Sequence, residues 1–381
     1  MADPPLSPAD AALHAAAGDA AATAAALAGG ACAAAADPAT GRTALHAAAE
    51  AGNCDVISLL LAAGAPWNAV DRAGRCAGEA ANDAGHAAAA AALLDAGVRA
   101  ELVLGALQTA AGGSGSEPAE AVPYLDQAAT FDAPPGARAT ALVDAAGRGV
   151  MMDWEAPLME AHAHLACRGG GAVLNLVGRR GGRRGGPFHT LPRRPPTHPP
   201  HTPQGHGLGI VDRAIASRNP PRHVICEAHP AVLARLDAEG WPARPGVTIV
   251  RGRWQDALAD GRLAAGGPYG GIFFDTFDDG DAALDLLFAA APALLTLGGT
   301  LSFFNGLCAD NPFFHAVACG VVERKLAAAG ADCAFVPLPL PAAATADATW
   351  EGVTNRYWQL TSYALPVITW PEGRGGGEGE H

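Results

Sequence analysis

The apolar positions follow two different rhythms along the chain. From residue 8 to about 110, alanine-rich blocks of helical length alternate with Gly, Asn and Asp. Ala44-Leu45-His46-Ala47-Ala48 is closed by Gly52, and Val56-Ile57-Ser58-Leu59-Leu60-Leu61 is closed by Gly64, as helices commonly end. Gly41 and Gly74 each precede an arginine and stand 33 residues apart, and Gly52-Asn53 returns 33 residues later as Gly85-His86. Ala12-Leu13-His14-Ala15 adds an upstream copy. A fixed period of this size predicts a stacked helical array.

After about residue 150 the rhythm changes. Residues 150–159 lead into a helical run ending near Cys167. Continuous apolar runs then follow at 172–175, 223–227, 247–250, 271–275 and 299–304, with helical stretches at 210–217, 229–239 and 282–295 between them. Buried parallel strands read in this way, and their alternation with helices predicts a doubly wound α/β sheet. Residues 111–122, rich in Gly, Ser and Pro, read as the linker, which sets the second domain at 123–372 and leaves 373–381 as a disordered tail.

One segment fits neither rhythm. Residues 177–204 hold six arginines and no acidic residue, and mix Gly-Arg with Pro-His, a composition for disorder. It reads as a tolerated surface loop, as a basic arm contacting RNA, or as an in-frame retained intron. The third is favoured: a valine codon can begin with GT, a glutamine codon can be CAG, and the ends are Val177 and Gln204. Excision also joins Leu174-Asn175-Leu176 directly to Gly205-His206-Gly207-Leu208-Gly209.

Composition narrows the classes of function. The formal charge is −13, and would be −19 without the segment (19 basic against 38 acidic), which disfavours generic binding to nucleic-acid phosphates and favours a basic protein partner. No long strongly hydrophobic run suggests a membrane span, and the opening residues lack the pattern of a secretory signal. The eight cysteines form no CxxC pair, so neither a zinc site nor a disulfide framework is expected, and no metal. One lysine beside 24 arginines reflects a GC-rich genome more than a function.

The candidate chemistry lies at strand ends, where an open α/β sheet binds ligands. Glu227 closes the second strand, 18 residues beyond Gly209, and suits two ribose hydroxyls. Asp275 closes the fourth, and Glu155 sits in Asp153-Trp154-Glu155 before the first long helix of the domain. Each has a bland alternative: Asp275 as a helix cap and Glu155 as a residue favoured by a helix dipole. Trp154 reads equally as a core aromatic. Trp350, Tyr357 and Trp358 read as packing, Asn305 as facing the site, and the acidic run at 278–281 as a solvated loop or an attractor of basic segments.

The 33-residue unit resembles the ankyrin repeat, over about residues 8–110. The resemblance implies that His14 and His46 bond turn backbone, and that the array holds a partner and has no chemistry of its own. With residues 177–204 removed, the region from about 120 to 370 resembles the fungal and plant protein-arginine N-methyltransferase 2 family, relatives of guanidinoacetate N-methyltransferase. The resemblance rests on VMMDWEAPLMEAHA at 150–163, GHGLGIVD at 205–212, EAHPAVLARL at 227–236 and GRWQDAL at 252–258. It continues in GIFFDTF at 271–277, SFFNGLCADNPFFH at 302–315 and WEGVTNRYWQL at 350–360.

The family implies a Rossmann-like class I methyltransferase domain that moves a methyl group from S-adenosyl-L-methionine to a guanidino nitrogen of a protein arginine, the δ-nitrogen. It makes Glu155 and Asp275 the substrate carboxylates, Asp275 being the stronger base candidate. Met152, Asn175, Gly205, Gly207 and Gly209 would line the methionine end of the cofactor. Glu227 would hold the ribose, and Trp254 with Gln255 would border the adenine; His206, Leu208, Ile210, His229 and Asp275 complete the cofactor-binding set. His206 stands where the family has another aromatic. A monomer, cytoplasmic and nuclear, is expected. The rivals are a small-molecule guanidino methyltransferase and a non-catalytic ankyrin adaptor with a disabled cofactor site.

Overall fold

The computed structural model describes residues 6–110, 129–132, 141–144, 149–177, 208–275, 280–353 and 356–371. Among these, one compact unit holds 6–110 with 311–321, and a second holds the rest. The expected linker, residues 178–204 of the expected insertion, Gly205, His206, Gly207, Asp278, Asp279 and the tail 373–381 lie outside the described residues.

Five short helices and one long one build the described part of the first unit up to residue 110, with capping residues recurring at the starts of the short ones. They are α1 (Pro8–Ala15), α2 (Ala20–Ala28), α3 (Ala44–Glu50), α4 (Cys54–Ala62), α5 (Ala77–Asp83) and α6 (Ala87–Ala110). Side-chain oxygens of Ser7, Asp19 and Asn53 accept the otherwise unpaired N–H groups that open α1, α2 and α4. His46 Nδ1 accepts from the Thr43 backbone N–H at 3.1 Å, and its Nε2 lies 3.1 Å from the Arg75 carbonyl in the next turn. His14 Nε2 lies 2.9 Å from the Ala35 carbonyl. Both histidines thus pin turns. Gly41 adopts φ +74°, and a Cβ there would stand 2.9 Å from the Arg72 nitrogen, so the turn needs glycine.

Residues 311–321 belong to the same unit. Phe314 meets Trp67 edge-on with ring centroids 5.9 Å apart, and Asn311 Nδ2 donates to Glu79 at 2.8 Å. A Cβ on Gly78 would lie 2.2 Å from the Phe313 ring, so α5 needs glycine at this contact.

The second unit begins with a small antiparallel sheet, β1 (Ala129–Phe131), β2 (Ala141–Asp144) and β3 (Gly149–Met152). A 3-10 turn, Asp153–Glu155, leads from β3 into α7 (Ala156–Arg168). There follow β4 (Ala172–Val177), α8 (Ile210–Ala216), β5 (His223–Glu227), α9 (Pro230–Ala238) and β6 (Val247–Arg251). Next come α10 (Trp254–Ala259), α11 (Arg262–Gly266), β7 (Tyr269–Asp275), α12 (Gly280–Leu294) and β8 (Leu295–Phe303). The last are α13 (Pro312–Ala328), which runs through both units, β9 (Asp332–Pro339) and β10 (Ser362–Thr369).

The large sheet has the order β6-β5-β4-β7-β8-β10-β9. Its first five strands are parallel, as expected, but β10 and β9 run antiparallel, so the sheet is mixed. Edge strand β9 carries exposed and half-buried positions only, whereas β4, β5 and β7 are buried throughout. Pro337 and Pro339 sit on this edge strand, where proline is tolerated.

Side-chain alternation gives the sheet two cores. Leu174, Leu176, Phe274 and Leu301 pack on one face, and Val173, Phe273, Trp358 and Tyr363 on the other. Helix α7 lies directly on β7, since a Cβ at Gly271 would fall 2.0 Å from the Ala166 carbonyl oxygen. His162 in α7 ties this face together: Nδ1 is 2.8 Å from Ser302 Oγ and Nε2 is 2.8 Å from Tyr363 Oη. Among the described residues, no helix is long and apolar enough to cross a membrane.

Candidate active site

The strand order reverses beside β4, with β5 on one flank and β7 on the other, and ligands of open α/β sheets bind outside the carboxyl ends at that point. Val177 pairs in register with Asp275, and Glu227 ends the neighbouring β5, so two acidic residues close strands next to the switch. The 3-10 turn after β3 supplies a third, Glu155, which becomes the N-cap of α7.

Glu155 and Asp275 are both buried, at 0% and 2% exposure. Burial without a cation is costly for a carboxylate, and the protonation of both groups registers it. Burial pushes Asp275 from 3.8 up to about 8, with the charges of Asp212 and Glu227 adding to the rise. Burial likewise holds Glu155 well above its ordinary value, opposed by a hydrogen bond from Tyr357 and reinforced by the charge of Asp275. Neither Asp275 oxygen has a hydrogen-bond partner among the described residues, nor has Glu155 Oε2.

Tyr357 departs from expectation. It packs against Trp154 and Trp350, with centroids 6.2 and 4.8 Å away, but its hydroxyl also donates to Glu155 Oε1. Burial, then the Glu155 charge, pushes the phenol well above its usual range. Trp350 and Trp358 pack as expected, each against Trp154, with centroids 6.1 and 5.9 Å away. Asn305 is fully buried and spends its amide N–H on the Ala364 carbonyl at 2.9 Å.

Among the described residues expected around a cofactor, Glu227 ends β5 and Asn175 lies within β4. Glu227 Oε1 accepts the backbone N–H groups of Ala228 and His229 at 2.7 and 2.6 Å, which fixes the carboxylate in place. Met152 ends β3 and is buried, as are Leu208 and His229. Gly209 caps α8 with φ +65°, a left-handed conformation suited to glycine, and Ile210 begins the helix. Trp254 stands edge-on to Phe274 at 5.4 Å, and Gln255 beside it is half-buried. Asn175 is fully buried in mid-β4; its amide nitrogen donates to Asp212 Oδ1 at 2.9 Å, and its own oxygen has no partner. From the sequence, Asp212 takes no role of its own and Tyr357 reads as packing. Asp212 does lie in the motif 205–212, and Tyr357 in the block 350–360.

Known proteins resemble the chain in both halves. The ankyrin repeat family model matches residues 40–72. A protein of Cryptococcus neoformans named protein arginine N-methyltransferase 2 is 34% identical over 356 residues, covering 87% of this chain and 86% of its own length. Its namesake in Emericella nidulans is 32% identical, covering 82% and 76%. The namesake in Yarrowia lipolytica is 36% identical over 60% of this chain, which spans 44% of that relative. With an ankyrin repeat near its N-terminus and likeness to the first of these relatives over most of both lengths, the chain belongs to the protein arginine N-methyltransferase 2 family.

Proposed function

We propose that the chain transfers a methyl group from S-adenosylmethionine to a guanidino nitrogen, the δ-nitrogen, of arginine in a protein substrate, and that its second unit is a Rossmann-like class I methyltransferase domain. The observation behind this reading is the pair Glu155 and Asp275, buried carboxylates with three oxygens lacking partners. A planar guanidinium offers several N–H donors in a fixed fork, and carboxylates are its natural complement. Its charge also offsets the cost of burying them.

When bound, the cofactor supplies an electrophilic methyl group on a sulfonium. The residues present suit it: Glu227 is oriented by two backbone N–H groups at the end of β5, and Asn175 offers an unpaired buried oxygen. The remaining work belongs to the chain. Glu155, steadied by Tyr357, clamps and orients the guanidinium. Arginine stays protonated in proteins, so a proton must leave the guanidinium as the nitrogen attacks. Asp275, raised to about 8, is matched to take it near neutral pH. The ankyrin helices are assigned to holding a protein partner.

The test offers labelled S-adenosylmethionine with a basic protein extract or with guanidinoacetate to the full chain. Label in protein, recovered as δ-methylarginine after hydrolysis, is expected. Label in guanidinoacetate alone, or in neither, overturns the proposal.

A further inference from the structure

Beneath the strand ends lies a buried polar chain of which the proposed methyl transfer uses only Asn175. His223 begins β5, Asp212 lies in α8 and Asn175 is in β4, and all three are buried. His223 Nε2 is 2.9 Å from Asp212 Oδ1, and Asn175 Nδ2 donates to that same oxygen at 2.9 Å. The His223 ring is braced edge-on by Trp241, with centroids 6.1 Å apart. Asn175 Oδ1 is left buried without a partner.

An amide can face a neighbour with its donor or its acceptor, and the neighbour decides which. A carboxylate oxygen already approached by His223 takes the NH2 group, so the carbonyl oxygen of Asn175 is turned away from Asp212. Hydrogen bonds in series polarise one another, so the charge on Asp212 makes that oxygen a stronger acceptor. A second carboxylate at 175 would instead sit against Asp212 as a like charge.

We propose that Asp212, held by His223, is a positioning residue that locks Asn175 with its carbonyl oxygen as the acceptor for the ammonium group of the cofactor. The inference rests on the S-adenosylmethionine reading above and deepens it. Asp212 does not touch the reacting atoms. It fixes the hydrogen-bonding sense of a residue that touches the cofactor's amino-acid end, which makes the site selective for a cationic donor.

The test measures binding to the full chain by calorimetry, using S-adenosylhomocysteine and its analogue with the amino group replaced by hydrogen. The wild type should prefer the amino-bearing ligand by about tenfold, a typical worth for a charge-assisted hydrogen bond. In Asp212→Asn the neighbour can donate as well as accept, so Asn175 is no longer held one way. That variant should bind S-adenosylhomocysteine about tenfold more weakly and the deaminated analogue unchanged. Equal weakening of both ligands means a merely structural role and overturns the proposal. If the variant does not fold, the wild type decides alone: equal affinity for the two ligands overturns it. Failure of the wild type to bind either ligand overturns the cofactor reading itself, a result distinct from loss of the preference.

Discussion

His46 in the helical array and Asp275 at the end of β7 are both polar and both buried, yet the fold treats them in opposite ways. His46 places both ring nitrogens against neighbours, one on Thr43 and one on the Arg75 carbonyl. Asp275 and Glu155 leave three oxygens without a partner. Among the described residues of the array, the buried side-chain group without a partner is the indole N–H of Trp67, which is neutral, so leaving it dry costs far less than stranding a carboxylate. A satisfied buried group holds structure together. Unsatisfied buried acids work against stability, are pushed toward their neutral form, and are tolerated where a ligand completes them.

The contrast is open to attack by substitution. The largest effect is expected from Asp275→Asn and Glu155→Gln, which should each lower kcat by about a thousandfold, or about 4 kcal/mol of barrier. Thermal stability should hold or rise in both, because each removes a buried acid. A fall in melting temperature as large as that of a core variant would break the comparison. The pH dependence sharpens it. Asp275 is raised from 3.8 to about 8, so the folded chain keeps a proton that the unfolded chain releases, and its stabilising contribution is lost as pH rises through that range. His162, lowered by burial from 6.5 to about 3, acts with the opposite sign and loses its contribution as pH falls below 6.5. Between pH 6.5 and 8, therefore, Asp275→Asn should flatten the decline of the melting temperature.

Next in size is Gly271→Ala, expected to cost about 3 kcal/mol or more in denaturant titration because the added methyl collides with the Ala166 carbonyl. This would place the stability of the second unit in close backbone packing, away from its acids. Tyr357→Phe removes the phenol from Glu155 and should lower kcat about tenfold, near 1.4 kcal/mol. Because that hydrogen bond holds the Glu155 carboxyl down, its loss should also move the acidic limb of the pH–rate profile upward. Smallest is His46→Ala, expected to cost about 1 kcal/mol in the melting of the array by freeing one turn from the next.

The array was readable because its signals are local. Caps such as Asn53, turn glycines and the histidine that bonds the following turn all act within a few residues or one repeat. The parallel strands were readable too, since burial on both faces leaves continuous apolar runs, and Asp275 and Glu227 stand where those runs stop. The small sheet β1–β3 was not, being three or four residues per strand with little contrast to its surroundings. Strands β9 and β10 carry too few buried positions in a row to announce themselves. The pairing of Tyr357 with Glu155 joins residues 202 apart, and that of Asn175 with Asp212 joins residues 37 apart. No local pattern encodes such meetings, so Tyr357 reads as packing and Asp212 as one position of a motif until the chain folds.

The prolines at 337 and 339 have a consequence for how molecules of this protein meet. Two residues apart on β9, they leave the same side of that strand short of two backbone N–H groups. A strand from another molecule approaching this flank would find gaps where its carbonyls need donors. Growth of fibrils by strand addition is thereby discouraged at this border even in a crowded solution.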